Sequence, residues 1–287
     1  MIGIGGYSML KYEFDSAFIK SLEDIDKLDL TISSIEENLI VSELMQFKLL
    51  HFAFNKVIPY LQRLTINKKL PNINNETITK LDDLKNPPDE IVKKLNRYGR
   101  ANLKNQSVLY ASFILPTLIK ETNPDVGDLV TISRWKVKNE ETPLIVSPII
   151  DYTKCKDYQL RTEFEKALSQ LPNELQKITF QLYCLTAKHF GKYVERGKDI
   201  NYIFSAHFAD KIFHEIYDGK IEAIIYPSVQ DSGATSNIAL KPDVFNEKYE
   251  IDEITECLVV SNYDHALFLK TIKSTLKVDS SGIIIWG

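Results

Sequence analysis

RANLKNQSVLYASFILPTLIKETNPDVGDLVTISRW, residues 100–135, holds two strand-like runs around a short helical one, with an arginine, a tyrosine and a glutamate spread across them. Residues 107–113 (SVLYASF) are β-branched, aromatic and small, the composition of a strand buried on both faces. Residues 115–121 (LPTLIKE) carry Pro116 where a first helical turn tolerates it, with Leu115, Leu118 and Ile119 apolar. Asn123, Pro124 and Gly127 punctuate a turn, and residues 129–135 (LVTISRW) alternate as a second strand. A helical turn between two strands brings Glu121 to a sheet edge.

Upstream, residues 16–30 and 32–58 have helical patterning, the second with Ile40, Phe47, Leu50, Phe54 and Val57 at spacings of three and four. Pro59 ends that helix, and residues 60–66 (YLQRLTI) form a strand carrying Arg63. Residues 67–86 are rich in Asn, Lys and Asp and loop across the surface. Asp89, after Pro87 and Pro88, is placed to cap a short helix over 90–95.

Downstream, an apolar run occupies 144–150, and helices are expected over 160–170, 172–190 and 199–217. Short strands follow at 222–226, 237–241, 256–261 and 282–286. Strands before and after a helical layer, without regular βαβ alternation, indicate an α+β fold. The expected division is a helical extension over residues 1–58 and a main domain over 59–287.

The 287 residues suffice for a substantial core, and a net charge of −4 supplies no basic footprint for nucleic acid. A local arginine-lined pocket remains compatible with a phosphate ligand. Three cysteines, Cys155, Cys184 and Cys257, without C-x-x-C spacing, favour a reducing, cytoplasmic setting over a disulfide or zinc framework. No apolar run approaches the ~20 residues that span a bilayer. The amino-terminal GIGG follows no strand, so it is not a dinucleotide fingerprint. No G-x-S-x-G surrounds Ser228, and His207 and His214 lack partners for a metal set, so neither a hydrolase elbow nor a metal centre is expected.

GRAN (99–102), SVLYAS (107–112) followed by Glu121, GDLVTI (127–132), IIYPSVQ (224–230) and NIALKPD (237–243) occur in an order and spacing that resemble the RES-domain family, whose members include bacterial toxins of toxin-antitoxin pairs. The resemblance covers roughly residues 61–246. It implies an ADP-ribosyltransferase-like fold with a split β-sheet, and an enzyme that cleaves the nicotinamide-ribose bond of NAD as glycohydrolase, phosphorylase or ADP-ribosyltransferase. It assigns the family's arginine to Arg100, its tyrosine to Tyr110, its glutamate to Glu121, its serine to Ser228, and an additional arginine to Arg63.

Physical chemistry accords with those roles. Guanidinium groups at Arg100 and Arg63 match diphosphate oxygens. A carboxylate at Glu121 stabilises a ribosyl cation or activates an acceptor. Tyr110 offers a ring face and a hydroxyl, and Ser228 a donor to a phosphate or ribose oxygen. The resemblance also implies a separately encoded antitoxin, while a homo-oligomer, the acceptor of ADP-ribose and the role of the front helices stay open. Relatives often carry Pro-Gly where this chain has Leu103-Lys104-Asn105. That departure keeps an alternative in view, a RES-like module that binds a partner and has lost catalysis.

Overall fold

The chain is described, in a computed structural model, over residues 20, 34–46, 51–71, 73–195, 197–230, 235–263 and 266–287. The amino-terminal GIGG and nearly all of the helix expected over 16–30 lie outside the described residues. The front half comprises α1 (Ser34–Gln46), β1 (Phe54–Lys56), β2 (Tyr60–Ile66), α2 (Asp89–Leu95), β3 (Leu109–Ser112), α3 (Leu115–Thr122), β4 (Leu129–Val137) and β5 (Leu144–Pro148). Three helices follow, α4 (Tyr158–Ser169), α5 (Asn173–Phe190) and α6 (Ile203–His214). The chain then returns to strands: β6 (Ala223–Pro227), β7 (Ser236–Leu240), α7 (Pro242–Lys248), β8 (Tyr249–Tyr263), β9 (Ala266–Val278) and β10 (Ile284–Trp286).

The strands form one 10-stranded mixed sheet in the order β1-β5-β6-β7-β3-β2-β4-β8-β9-β10. Among the described strands only β5 and β6 pair in parallel, and a parallel neighbour demands a long crossover. That crossover is where α4, α5 and α6 sit, so the helical layer and the strand order have one cause. Mixed helices and a mostly antiparallel sheet make the fold α+β.

The sheet is narrowest at its centre. β2 and β3 share a single register pair, Gln62↔Ser112, whereas β2 pairs with β4 over its whole length. From that pair the register continues through Ser112↔Asn237 and Asn237↔Tyr226, so these side chains stand in a row on one face. Tyr110, Leu64 and Ile66 share that face by alternation. Two apolar clusters cover it: Ala239, Ile224, Phe190, Phe204 and Phe208 on one side of the row, and Leu64, Ile66, Val130 and Leu118 on the other. Each buried Val, Leu, Ile or Phe side chain in them contributes about 1.5–3 kcal/mol. The polar row between the clusters is the floor of the site described below. The opposite face holds a third cluster around Leu61, Leu109, Ile225, Ile238, Trp135 and Phe245.

Several expectations change at this level. The helix expected over 32–58 stops within the chain: α1 ends at Gln46, and Phe54, Asn55 and Lys56 pair with Val146, Ile145 and Leu144 as β1. Apolar residues at helical spacing there reflect burial of Phe52 and Ile58 in the sheet's own core rather than a helix stripe. Pro88, not Asp89, occupies the cap position of α2, and Asp89 lies in its acidic first turn. α7 and the 13-residue β9 were not expected at all, and β8 spans 15 residues in place of a short run.

Candidate active site

Glu121 lies in the last turn of α3, and its position follows from local sequence. Asn123 takes the left-handed conformation at φ 42° and ends the helix, donating its N–H to Ile119. Leu118 and Thr117, three and four residues before Glu121, face the sheet, so helical spacing turns Glu121 the same way. Thr117 makes the first tie, to the Thr235 hydroxyl at 3.0 Å. Glu121 makes the second: its Oε1 accepts from the Ser228 hydroxyl at 2.7 Å, the Val229 N–H at 3.1 Å and the Asn237 amide at 2.9 Å.

Ser228 follows Pro227 at the end of β6 and is fully buried, with its N–H donated to the Thr235 carbonyl. Its single proton goes to Glu121. The structure therefore joins Glu121 and Ser228 directly, and adds Asn237, which local sequence marks only as the start of an apolar strand. The signal that identifies it is register: a polar residue opposite Tyr226 and Ser112 on an otherwise apolar, buried strand.

Arg100 and Tyr110 form a second group. Gly99 and Asn102 are bridge partners, closed by the Gly99 N–H on the Asn102 carbonyl at 3.0 Å, with Arg100 and Ala101 as the turn between them. The Tyr110 hydroxyl plugs that turn, accepting from the Ala101 N–H at 2.8 Å and donating to Asn102 Oδ1 at 2.7 Å. A side chain at position 99 has no room, since a Cβ would stand 2.0 Å from Asn102 Oδ1 and 2.7 Å from the Tyr110 oxygen. GRAN and SVLYAS are thus one device, a turn and the phenol that fixes it. Burial raises the Tyr110 phenol above its ordinary range, so it stays a hydroxyl.

Arg100 projects from this turn toward the end of α5. Its Nη1 donates to the carbonyls of Phe190 and Lys192, the latter at 3.1 Å, and its guanidinium lies 5.0 Å from the centre of the Tyr202 ring. Nη2 also donates to the Tyr202 hydroxyl at 3.4 Å. Carbonyls at a helix carboxyl end attract a cation. Nε and the second Nη2 proton carry no hydrogen bond among the described residues.

Arg63 donates Nη1 to the Tyr110 carbonyl at 2.9 Å, bridging β2 to β3 beside the place where their ladder has one pair. Burial lowers its guanidinium to about 10, and its Nε is enclosed without a hydrogen-bond partner. Alternation assigns the Arg63 Cβ to the face opposite Gln62, Ser112 and Asn237. Arg63 therefore meets the site through the Tyr110 backbone.

Tyr226 connects the two groups. It is buried, and desolvation raises its phenol far above the ordinary range; Tyr110, Arg100, Glu121 and Tyr202 all act on it electrostatically. Glu121 and Arg100 make no direct hydrogen bond, and Tyr226 lies within reach of both charges. A separate cavity of about 630 Å³ is lined by Asp151, Tyr152, Cys184, Lys188, Gly191 and Lys192, and it adjoins this site at Lys192, whose carbonyl holds Arg100. Among the described residues no group of three or more His, Cys, Asp and Glu side chains is placed to hold a metal ion, and no helix is long and apolar enough to cross a membrane.

The family model for the RES domain matches residues 87–259, and no curated protein matches the sequence. The matched span begins after Arg63 and includes Arg100, Tyr110, Glu121, Ser228 and Asn237. Because it covers more than half of the chain and encloses both the GRAN turn and the Glu121–Ser228 pair, the chain belongs to the RES-domain family.

Proposed function

We propose that this chain consumes NAD by breaking its nicotinamide-ribose bond, as a bacterial toxin or defence effector. The observation that carries the proposal is the convergence on Glu121: a carboxylate in a helix's last turn, oriented by a serine, a main-chain N–H and an asparagine, above a polar row flanked by apolar clusters. As the bond breaks, its electron pair leaves with nicotinamide and positive charge develops on the ribose. A fixed carboxylate stabilises that charge without reorganising.

In this reading Arg100 offers its unengaged donors to the diphosphate, and Arg63 supplies a half-buried positive charge behind Tyr110. The ring of Tyr110 lines the ribose or nicotinamide end, while its hydroxyl holds the Arg100 turn. Water, phosphate or a protein side chain accepts the ADP-ribose. The narrow β2–β3 junction is the counterpart of a split sheet of the ADP-ribosyltransferase kind. Residues 59–287 act as the catalytic unit, in the cytoplasm and under the control of a separately encoded antitoxin. Residues 1–58 are an extension that adds β1 to the sheet edge.

The second reading is a RES-like module that has lost catalysis and binds a protein partner. The anchoring of Arg100 on two backbone carbonyls favours it, since those donors are then unavailable to phosphate. Incubating the purified chain with NAD and following free nicotinamide by chromatography separates the two. Release that scales with protein concentration supports the enzyme, and no release above buffer supports the module.

A further inference from the structure

We propose that the two oxygens of Glu121 have different duties, Oε1 as anchor and Oε2 as the oxygen that meets the reacting ribose, and that Asn237 is a positioning residue acting through Oε1. The proposal rests on the NAD-cleaving reading above and assigns the division of labour within that site.

The three donors that reach Glu121 among the described residues converge on Oε1: the Ser228 hydroxyl, the Val229 N–H and the Asn237 amide. A carboxylate oxygen has two in-plane lone pairs, so three donors saturate it. Oε2 has no hydrogen bond among the described residues. The donors are themselves held by the fold. Val229 N–H is main chain at the corner where Ser228 N–H is tied to the Thr235 carbonyl. Asn237 is buried in β7, paired on one side with Tyr226 and on the other with Ser112. With a carboxylate oxygen as its partner, the Asn237 side chain must present its NH₂ to Glu121. Ser228, whose hydroxyl hydrogen is engaged by Glu121, acts on the ribose through that carboxylate. The arrangement fixes one oxygen so that the other has a defined direction, which is how pre-organised electrostatic groups avoid reorganisation during a reaction.

The test compares wild type, Asn237→Ala, Ser228→Ala and the double variant in steady-state nicotinamide release, with unfolding midpoints measured alongside. The expected result is a fall in kcat of about 10- to 100-fold for each single variant with KM changed less than about threefold. The double variant should lose less than the product of the two single losses, because both act through one oxygen. A loss confined to KM, or an unchanged kcat in folded protein, would overturn the proposal. A second readout is independent of turnover: in ¹⁵N–¹H spectra of Glu121→Gln, the Val229 amide and the Asn237 side-chain NH₂ signals should both move. If neither moves, the anchor does not exist. If wild type releases no nicotinamide while both signals move, the NAD reading fails and the positioning of Glu121 by Asn237 stands.

Discussion

The hydroxyl of Ser228 donates to Oε1 of Glu121 at 2.7 Å, although the two residues are 107 positions apart. That bond ties the end of α3 to the connection between β6 and β7, and it brings together two side chains that are each unremarkable in their local sequence. Glu121 ends a helix and Ser228 follows a proline. Their contact is what turns a solvated charge and a turn residue into a site.

The turn that carries Arg100 is held by an absence and a presence, no side chain at Gly99 and a phenol at Tyr110. Gly99→Ala is predicted to lower unfolding free energy by about 1–3 kcal/mol, since a Cβ there collides with Asn102 and Tyr110. Tyr110→Phe removes partners from the Ala101 N–H and Asn102 Oδ1 and is predicted to cost about 1–3 kcal/mol. Urea unfolding of both variants checks this, and wild-type midpoints in both would mean that the turn is not fixed as described.

Arg100→Lys tests the second half of the site. A lysine nitrogen can take the place of Nη1 at the Phe190 and Lys192 carbonyls, but it lacks the planar fork whose Nη2 and Nε face Tyr202 and the proposed diphosphate. The expected outcome is a rise of about tenfold or more in KM for NAD, equivalent to roughly 1.4 kcal/mol of lost interaction. A KM equal to wild type would remove Arg100 from the phosphate role.

A pH effect on stability is expected from His51, which joins β5 to α5. Its Nδ1 meets the Ser147 hydroxyl at 2.6 Å and the Tyr183 hydroxyl at 3.0 Å, and its ring stacks on Tyr183. Burial lowers the imidazole to about 3, so the folded protein holds it neutral while the unfolded chain protonates it near its ordinary value of 6.5. A depressed histidine gives stability that is complete above 6.5 and is lost as pH falls from there toward 3. Between pH 7 and pH 5 the loss amounts to about 2 kcal/mol. His51→Gln, which does not titrate, should be less stable at pH 7 but show a flatter slope over that interval in urea unfolding. An identical slope would contradict the assignment.

The legible parts of this fold are those whose signals are local. Proline before β2, the alternation of β4, Pro116 in α3 and the break at Pro227-Ser228 all specify elements that form where expected. β1 was hidden because Phe54 continues a three-and-four spacing set by Phe47 and Leu50, although what it joins is Val146 across the sheet. β9 was hidden because both of its faces carry apolar residues: Leu267 and Leu269 pack inward while Phe268, Ile272 and Leu276 are exposed, which erases a period of two. Glu121, Arg100 and Ser228 stand out by family pattern rather than by their local surroundings. Asn237 and Tyr226 were missed as site residues, because their polar environment arises only when β3, β6 and β7 lie side by side.

If Glu121 carries the chemistry, its amide variant must separate folding from turnover: nicotinamide release from NAD is compared between wild type and Glu121→Gln at equal concentration, with unfolding curves of both. Glu121→Gln should fold, since glutamine can still accept from Ser228 and Val229, and should lose turnover by about 100-fold or more. Equal rates of release in the two proteins would contradict it.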